Sequence, residues 1–450
     1  MIGIVVSQAD TASAHIGEQL REICDWDTRR DQTQPEAEGG GTVYYTDSFE
    51  MRMFDEWHLE LENVAERFDD PDLIVFPSRH SGETGKLLTA HHTGNFGPAE
   101  YGGMPQSFAK AAPHATKQIL HELESVAPEG YDVGMECTHH GPTTVGAPSL
   151  FVEVGSDTSQ WEDPAAAKAV AKAILQLEGV SPQSERQVVG IGGGHYAPRF
   201  TRIVKETDWA VGHIAANWSL DDLKGGTDTL SKIFDQSDTE YVVFDGEHPN
   251  LRSRLEDRGY TPLSETWIRE TTDVPLSVVA EVESTLGSTD SGTRFGTQAA
   301  KVRPDDIEYL SLPTDLIDTI QGIDRERTLG LLDTHCVGYT TAENGNRARS
   351  DIAINTTEPR HGDTVVPAAL ISDIEDVLVE KYDTVTVEQT RIQVESSEFD
   401  PQKAQTFGVP EGPAFGKLAS GQSVEVDGRT IPPEEVSTKT TTTFELPANS

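Results

Sequence analysis

The run LIVFP at residues 73–77 and the polar triplet SRH that follows it at 78–80 decide the fold class expected for the first half of the chain. Four apolar residues bounded by proline and polar residues are typical of a short buried strand. A second run of this kind, YVVF, occupies residues 241–244. Because such runs recur and alternate with helix-like segments, the sequence predicts an α/β domain with a largely parallel or mixed sheet.

This alternation of apolar runs and helix patterns extends over residues 1–265. Strands are expected near residues 2–6, 42–46, 72–77, 132–138, 149–154, 187–191, 209–214 and 241–244, and helices near 11–23, 107–126, 164–177, 198–206 and 230–234. Asp10 or Thr11 is suited to cap the first helix. The polar, glycine-rich segment 29–41 is expected to be a surface loop.

The composition changes at residues 281–299, where Ser, Thr and Gly predominate. This change predicts a linker between a first domain at residues 1–280 and a second module at 300–450. The second module has few aromatic residues and short strand-like runs such as 383–388, so we expect a smaller α+β unit. Its Thr-rich end, residues 434–450, is expected to fray.

The chain is strongly acidic, since 76 Asp and Glu residues stand against 35 Lys and Arg residues, giving a formal net charge of −41 over 450 residues. The acidic residues are spread along the sequence, and the apolar runs argue against a disordered acidic protein. Such a distribution favours a protein that works in concentrated salt, where charges are screened within about 3 Å at about 1 M. The alternative is an ordinary acidic protein that folds in dilute buffer.

The cysteines and the N-terminal residues indicate the cellular compartment in which the protein is expected. Three widely separated cysteines without a CxxC pair favour a reducing environment. No apolar stretch approaches the roughly 18 residues of a membrane helix, and the first nine residues lack the basic start and the length of a signal peptide. We therefore expect a cytoplasmic monomer with no membrane partner.

Histidine marks the candidate site, because nine of the 14 histidines lie between residues 80 and 213. Most of them follow strand-like runs, and open α/β sheets bind ligands outside the carboxyl ends of their strands. Histidines far apart in sequence are therefore expected to converge. The nine are His80, His91, His92, His114, His121, His139, His140, His195 and His213.

The segment ECTHHGPT at residues 136–143 places a carboxylate and two imidazoles at the end of one predicted strand, and Glu153 follows the apolar run LFV. Imidazole nitrogens and carboxylate oxygens bind Zn²⁺ at about 2.0–2.2 Å. Adjacent strand residues face opposite sides of a sheet, so His139 and His140 share a site only if the Gly-Pro turn alters this alternation. No HExxH or CxxC spacing occurs, and the alternative is a hydrogen-bond network of strand-end polar residues.

A glycine-rich segment, GIGGGHYAP at residues 190–198, connects a predicted strand to a predicted helix. Glycine lets the backbone approach an anion, so the N–H groups of Gly192, Gly193 and Gly194 are candidates to stabilise an oxyanion. The alternative is a plain tight turn. The segment lacks the GxGxxG spacing, and no nucleotide cofactor is expected.

Basic residues near the histidines make this region less acidic than the rest of the chain. They are Arg79, Lys86, Lys110, Lys117, Arg199, Arg202 and Lys205. Arg199 and Arg202 are candidate phosphate contacts, and the alternative is ordinary helix-surface charge. In strong salt, phosphate binding would depend more on shape and hydrogen bonds than on charge.

Six segments together carry a family resemblance: SRH at 78–80, AHHTGNFG at 90–97, ECTHHGPT at 136–143, FVEVGS at 151–156, GGGHYAPRFT at 192–201 and WAVGH at 209–213. Residues 1–265, which contain them, resemble the archaeal-type D-aminoacyl-tRNA deacylases. The resemblance implies a zinc-dependent hydrolase with a phosphorylase/hydrolase-like mixed-sheet α/β sandwich. It also implies tRNA as the partner, and it leaves open the number of zinc ions and the role of residues 300–450.

We therefore expect metal-dependent hydrolysis of the ester bond of D-aminoacyl-tRNA by residues 1–280. The candidate catalytic residues are His80, Glu136, His140 and His195; the candidate metal ligands are His91, His139, Glu153 and His213; the candidate substrate-binding residues are Asn95, Gly192, Gly193, Gly194, Arg199 and Arg202. The alternatives are a zinc peptidase or amidohydrolase of similar fold, and a non-enzymatic protein that binds tRNA or stores metal.

Overall fold

The computed structural model describes residues 1–223 and 227–448 of the chain. The chain divides into two compact units, Met1–Thr272 and Asp273–Ser450. The first unit ends earlier than the domain boundary expected at residue 280.

In the described part of the first unit, strands alternate with helices. Strands β1–β14 are Ile2–Ser7, Asp27–Asp31, Gly41–Tyr45, Phe49–Phe54, Leu73–Arg79, Leu87–His91, Gly94–Asn95, Ser107–Phe108, Asp132–Met135, Ser149–Gly155, Gln187–Gly192, Ala210–Ala215, Tyr241–Asp245 and Thr261–Leu263. Helices α1–α9 are Thr11–Ile23, Pro113–Val126, Thr158–Trp161, Pro164–Leu175, Pro198–Glu206, Leu220–Leu223, Thr227–Ser237, Pro249–Glu256 and Glu265–Glu270.

Two main sheets organise the described residues of this unit. The larger sheet has the order β2-β3-β4-β1-β5-β10-β6-β9. Its pairs β1–β4, β1–β5, β5–β10 and β6–β9 are parallel, whereas β10 and β6 are antiparallel. The smaller sheet, β12-β11-β13-β14, is parallel throughout. The predicted mixed-sheet α/β fold is confirmed.

The start of helix α1 shows how the sequence determines these elements. Oδ1 of Asp10 accepts a hydrogen bond from the backbone N–H of Ser13 at 3.1 Å, which confirms the predicted cap. The helix buries Ile16 and Leu20. Gly17 allows close packing on the sheet, because a Cβ at this position would lie 2.8 Å from Cγ1 of Val6.

Two first-unit predictions need correction. Residues 29–31 of the expected loop belong to β2, which pairs with β3 although most of its side chains are exposed. The helix expected from residue 107 begins at Pro113, because proline is suited to the first helical position and residues 107–108 form β8 instead. No helix in the described ranges is long and apolar enough to cross a membrane.

The second unit has antiparallel sheets with helices, as expected of an α+β module. Strands β15–β23 are Thr293–Phe295, Ile307–Ser311, Gly338–Ala342, Arg347–Asn355, Thr384–Val387, Arg391–Phe399, Val424–Val426, Arg429–Ile431 and Ser437–Glu445. Helices α10–α15 are Leu276–Leu286, Thr314–Ile323, Arg325–His335, Ala368–Leu378, Pro401–Thr406 and Pro413–Ala419. In the described residues the sheet orders are β15-β17-β18-β16, β19-β20-β23 and β21-β22.

The structure does not place a linker at residues 281–299. This segment holds the end of α10, with Val282 buried, and strand β15, which pairs with β17. The C-terminal Thr-rich segment does not fray over β23, which pairs with β20 at nine positions and buries Phe444. Its β-branched threonines suit a strand, which explains why polar composition was misleading here.

Candidate functional site

Strand register places four candidate side chains on one face of the larger sheet. Glu153 of β10 lies opposite Ser78 of β5, so His80, two residues further, is on the same face as Glu153. His91 of β6 lies opposite Phe151, which is two residues from Glu153 and also on this face. Strand β9 continues the register in parallel with β6, which places Glu136 beside His91.

Glu136 is the centre of one half of the cluster and is 1% exposed. Its Oε2 lies 2.7 Å from Nε2 of His195, and its Oε1 lies 3.1 Å from Nδ1 of His80. Nδ1 of His80 is also 3.7 Å from Oε2 of Glu153. Two buried carboxylates and two imidazoles therefore form one charged network at the sheet edge.

Three further imidazoles form the other half of the cluster. The ring centroids of His91, His139 and His140 lie 4.4 to 4.9 Å apart. His140 has φ of 47°, in the left-handed region, so strand alternation is broken and both adjacent histidines line the same cavity. The Gly-Pro turn therefore alters the strand alternation, which is the condition under which His139 and His140 can share one site.

A backbone carbonyl orients each of these three rings through Nδ1. The Nδ1 atoms of His91, His139 and His140 lie 3.2, 2.8 and 2.7 Å from the carbonyl oxygens of His92, Cys137 and Gly141 respectively. Because a carbonyl only accepts, each Nδ1 carries the proton, and in the neutral ring Nε2 keeps a lone pair. This is the arrangement in which histidine ligates a metal.

Burial and the neighbouring charges divide the histidines into two electrostatic classes. Burial lowers the pKa of His139 well below its ordinary value and that of His140 to about 4, with neighbouring imidazoles adding to the effect. Burial also disfavours charge on His80, but hydrogen bonds to Glu136 and Glu153 outweigh it and raise the pKa of His80 to about 11. His80 is therefore a cation at neutral pH, whereas His139 and His140 are neutral.

The donor set suits a zinc ion. Nitrogen atoms of His91, His139 and His140 lie within 4.8 Å of one another, as do ligand atoms of the groups His80–Glu136–His195 and Cys137–His139–His195. Nε2 of His91 is buried without a hydrogen-bond partner among the described residues, and Oε1 of Glu153 is 3.5 Å from it. Glu153 outweighs burial and raises the pKa of His91, so a cation at this nitrogen, either a proton or a metal ion, is favoured. Imidazoles beside carboxylates are common zinc ligands.

Most of the cluster lies in the wall of a cavity of about 730 Å³, and His91 and Glu136 are buried behind that wall. The side chain of Asn95 lines the cavity, and its amide nitrogen lies 2.9 Å from the carbonyl oxygen of Gly102, so it also holds the neighbouring loop. The other lining residues are Trp57, His58, Leu59, Ser78, Arg79, His80, Ser81, Gly94, Phe96, Gly97, Pro98, Glu100, Tyr101, His139, His140, Glu153, His195 and Trp218.

His213 is not part of the cluster, and its expected role as a metal ligand is wrong. Its Nδ1 lies 3.0 Å from Oγ1 of Thr138, and its Nε2 lies 2.9 Å from the carbonyl oxygen of Ala109. Both ring nitrogens are therefore engaged in a fully buried network. His92, which is not among the candidate site residues, has a similar structural position: its Nδ1 lies 3.1 Å from the carbonyl oxygen of Gly212 and its Nε2 lies 2.9 Å from Oγ1 of Thr116.

The expected anion contacts also need correction. The N–H of Gly193 donates to the carbonyl oxygen of Asp245 and so is not free for an oxyanion, and a Cβ at Gly192 would lie 2.1 Å from that same oxygen. These glycines therefore serve close packing against the end of β13. No Cβ contact constrains Gly194, since nothing in the described structure lies within 4 Å of a Cβ there.

Arg199 and Arg202 do not line the cavity of the histidines. Both atoms of the Arg202 fork, Nε and Nη2, lie 2.8 Å from the carboxylate of Glu265, and Nε of Arg199 lies 3.4 Å from the same carboxylate. Arg199 also contacts the carbonyl oxygen of Phe244 at 2.8 Å. These two arginines hold α5 against the start of α9, so the phosphate role expected for them is not supported.

Sequence analysis missed two aromatic contacts to His80. The hydroxyl of Tyr196 lies 3.2 Å from Nε2 of His80, and Nε1 of Trp161 donates to its carbonyl oxygen at 2.9 Å. Tyr196 directly follows His195 in the glycine-rich segment, which was an available signal. Trp161 follows the FVEVGS segment of the family resemblance, but its contact with His80 could not be predicted, because it forms only when α3 packs beside β10.

Comparisons with known proteins agree with the motifs. Residues 67–260 match the family model of D-aminoacyl-tRNA deacylase. The chain is 48% identical to the D-aminoacyl-tRNA deacylase of Natronomonas pharaonis over 97% of this chain and 98% of that protein. It is 46% identical to that of Halorubrum lacusprofundi, over 99% and 97% respectively. The crystal structure of AF0625, a conserved protein of unknown function, covers 60% of this chain and 98% of its own, with a TM-score of 0.55 and 30% identity.

Proposed function

Because this chain belongs to the D-aminoacyl-tRNA deacylase family, we propose that it hydrolyses the ester that joins a D-amino acid to the 3′ end of tRNA. The observation that carries the proposal is the convergence of five histidines and two glutamates at one cavity, with His80, His139, His140, Glu153 and His195 in its wall and His91 and Glu136 buried behind them. Water adds to the ester carbonyl, the bond between the carbonyl carbon and the ribose oxygen breaks, and that oxygen takes up a proton. The products are free D-amino acid and tRNA.

His91, His139 and His140 would hold the zinc ion, because their Nδ1 atoms are occupied by carbonyl oxygens and their Nε2 atoms are available. When bound, zinc lowers the pKa of water at the site to about 7 and polarises a carbonyl oxygen. This assignment moves His140 from the catalytic group to the ligands. Glu153 becomes the carboxylate that orients His80 and His91.

His195 is the proposed proton acceptor. Oε2 of Glu136 accepts the Nε2 proton of His195, which leaves Nδ1 of His195 unprotonated. Burial raises the pKa of the Cys137 thiol to about 12, so the thiol near Nδ1, at 3.6 Å, stays protonated and competes only weakly for that nitrogen. A carboxylate that fixes the tautomer of a histidine base is a recurring arrangement in hydrolases.

His80 supplies positive charge to the reaction. It is held as a cation by Glu136 and Glu153, and its Nε2 faces the hydroxyl of Tyr196. A fixed cation in an enclosed site stabilises the negative charge that develops on the carbonyl oxygen. The site thereby separates a base, His195, from an electrostatic stabiliser, His80.

The test is hydrolysis of matched D- and L-aminoacyl-tRNA by the purified full chain in concentrated salt. We expect turnover of the D-ester, loss of that turnover after chelation, and recovery when zinc is added back. Equal hydrolysis of both stereoisomers, or none of either by folded, zinc-loaded protein, would contradict the proposed function. Full activity after verified removal of metal would retain the deacylase but exclude the zinc role.

A further inference from the structure

Arg79 occupies an unusual position at the edge of the cavity. Its guanidinium carbon lies 4.2 Å from the ring centroid of Trp57 and 4.7 Å from that of Trp161, so the guanidinium packs against both indoles. Arg79 is the only arginine or lysine among the described residues that line the cavity. The stack therefore places one fixed guanidinium beside the histidine cluster.

The guanidinium of Arg79 has no carboxylate partner in the described part of the chain. The nearby Asp10 contacts the backbone N–H of Arg79 instead, and its oxygens also accept from Ser13 and from the hydroxyl of Ser78. This is notable in a chain with 76 acidic and 35 basic residues, where Arg202 on α5 is paired with Glu265. An unpaired, stacked guanidinium at a cavity wall is a position suited to an external anion.

We propose that Arg79 binds a phosphate of the tRNA 3′ end and thereby positions the ester, an inference that rests on the proposed function. The indole rings offer the guanidinium no acceptor oxygen or nitrogen, so its N–H groups remain to form the paired hydrogen bonds that phosphate accepts. The esterified amino acid itself carries no free carboxylate. The phosphate attached to the 5′ oxygen of the terminal adenosine is on the same ribose as the ester, which makes it the anion nearest to the reacting bond.

The stack is physically joined to the proposed stabiliser of the reaction. Nε1 of Trp161 donates to the carbonyl oxygen of His80, and His80 follows Arg79 directly in the chain. A phosphate held by Arg79 is therefore held at a fixed distance from the His80 ring. The indole contacts also reduce the rotamer freedom that an arginine loses when it binds, which favours tight binding.

The experiment compares two minimal substrates, the D-aminoacyl ester of adenosine, which has no phosphate, and the D-aminoacyl ester of the dinucleotide CpA, which has one phosphodiester. For wild-type protein we expect a lower KM for the CpA ester. Arg79→Gln should raise KM for the CpA ester about 10- to 100-fold, the usual range for one charge-assisted hydrogen-bond pair, and leave kcat and the adenosine ester nearly unchanged. Arg79→Lys should recover part of the loss, because it keeps the charge but not the fork.

Arg202→Gln is the matched control, because Arg202 is an exposed arginine already paired with Glu265, and both KM values should stay at the wild-type level. An equal change for both esters with Arg79→Gln would assign Arg79 a structural role, and no change for either would place phosphate recognition elsewhere. Either result overturns the inference.

Binding of unesterified CpA, followed by tryptophan fluorescence, separates this inference from the proposed function. If wild-type protein hydrolyses neither ester, the deacylase proposal fails. The phosphate role of Arg79 can then still be tested, because it predicts that Arg79→Gln binds CpA about tenfold more weakly than Arg202→Gln does. Equal CpA affinities of the two variants would overturn the phosphate role.

Discussion

Replacing Glu136 by Gln tests the centre of the proposed mechanism. The substitution keeps the shape of the side chain but removes its charge, and the amide can turn its NH₂ group toward His195. The 2.7 Å contact between Oε2 of Glu136 and Nε2 of His195 is then lost or reversed, so Nδ1 of His195 becomes the protonated nitrogen. A charge-assisted hydrogen bond is worth about 1.5–3 kcal/mol.

At about 1.4 kcal/mol per tenfold change, this loss predicts a decrease of roughly 10- to 100-fold in kcat/KM for D-aminoacyl-tRNA. The decrease should appear in kcat, because Glu136 is buried below the cavity and acts on the base, not on the bound substrate. Single-turnover deacylation in concentrated salt measures it, alongside the zinc content of the protein.

Glu100→Gln is the matched control, because Glu100 lines the same cavity but is exposed to solvent. We expect its kcat to remain near the wild-type value. A Glu136→Gln protein that is folded, retains its zinc and keeps wild-type kcat would refute the assignment of His195 as a base oriented by Glu136. A loss of zinc in proportion to the loss of activity would instead make Glu136 a determinant of metal affinity.

Three further outcomes are expected. His213→Ala should lower the free energy of unfolding by about 2–5 kcal/mol, because the hydrogen-bond partners on Thr138 and Ala109 are left buried and unsatisfied. The folded variant should keep its kcat. A large loss of kcat with unchanged stability would instead assign His213 to the active site. The hydrogen bond from Arg202 lowers the pKa of Glu265 below its ordinary 4.5. The stability that this ion pair adds is therefore complete above about pH 4.5 and is lost as the pH falls through the folded pKa. The difference in Tm between wild type and Glu265→Gln should shrink below about pH 4.5, and a constant difference would contradict this linkage. At about 0.01 M salt the screening length is near 30 Å, so repulsion from the charge of −41 should unfold the chain. Circular dichroism should show a loss of structure that added salt restores, and a chain that stays folded at low salt would refute the high-salt interpretation.

Local sequence patterns determined much of the fold. The helix expected at residues 198–206 is α5 with those same bounds, because Pro198 is suited to begin it and the chain is extended again at Thr207. The buried strands β5, β10, β11 and β13 were recognisable because each is a continuous apolar run. Polar strands such as β2 and β23 were missed, since their stability comes from backbone pairing that side-chain composition does not reveal.

Strand order was not accessible from the sequence, and strand order assembles the site. Glu153 lies between His80 and His91 only because β10 inserts between β5 and β6. Local sequence patterns do not distinguish this order from one in which β5 and β6 are neighbours. The candidate residues could be named because they follow apolar runs, but their grouping into ligands and proton-transfer groups required the register.

His213 and Arg202 show why residue type alone misassigns roles. His213 follows a strand-like pattern as His195 does, and only the positions of Thr138 and Ala109 show that its nitrogens are already engaged. Arg202 lies on a helix after a glycine-rich loop, but its partner Glu265 is 63 residues away in sequence. In both cases a long-range contact, invisible to local pattern, decides whether the group is available to a ligand.

The charge of the chain constrains how it binds a polyanion. A net charge of −41 repels tRNA in dilute solution, whereas at about 1 M salt charges are screened within about 3 Å and that repulsion is largely removed. The same screening removes most of the gain that a basic surface obtains from counterion release. Hydrogen bonds and stacking contacts persist in concentrated salt, and salt affects them least where solvent is excluded. The proposed contact between Arg79 and a phosphate, made at a cavity wall beside two indoles, should therefore be weakened less by concentrated salt than a contact of an exposed lysine.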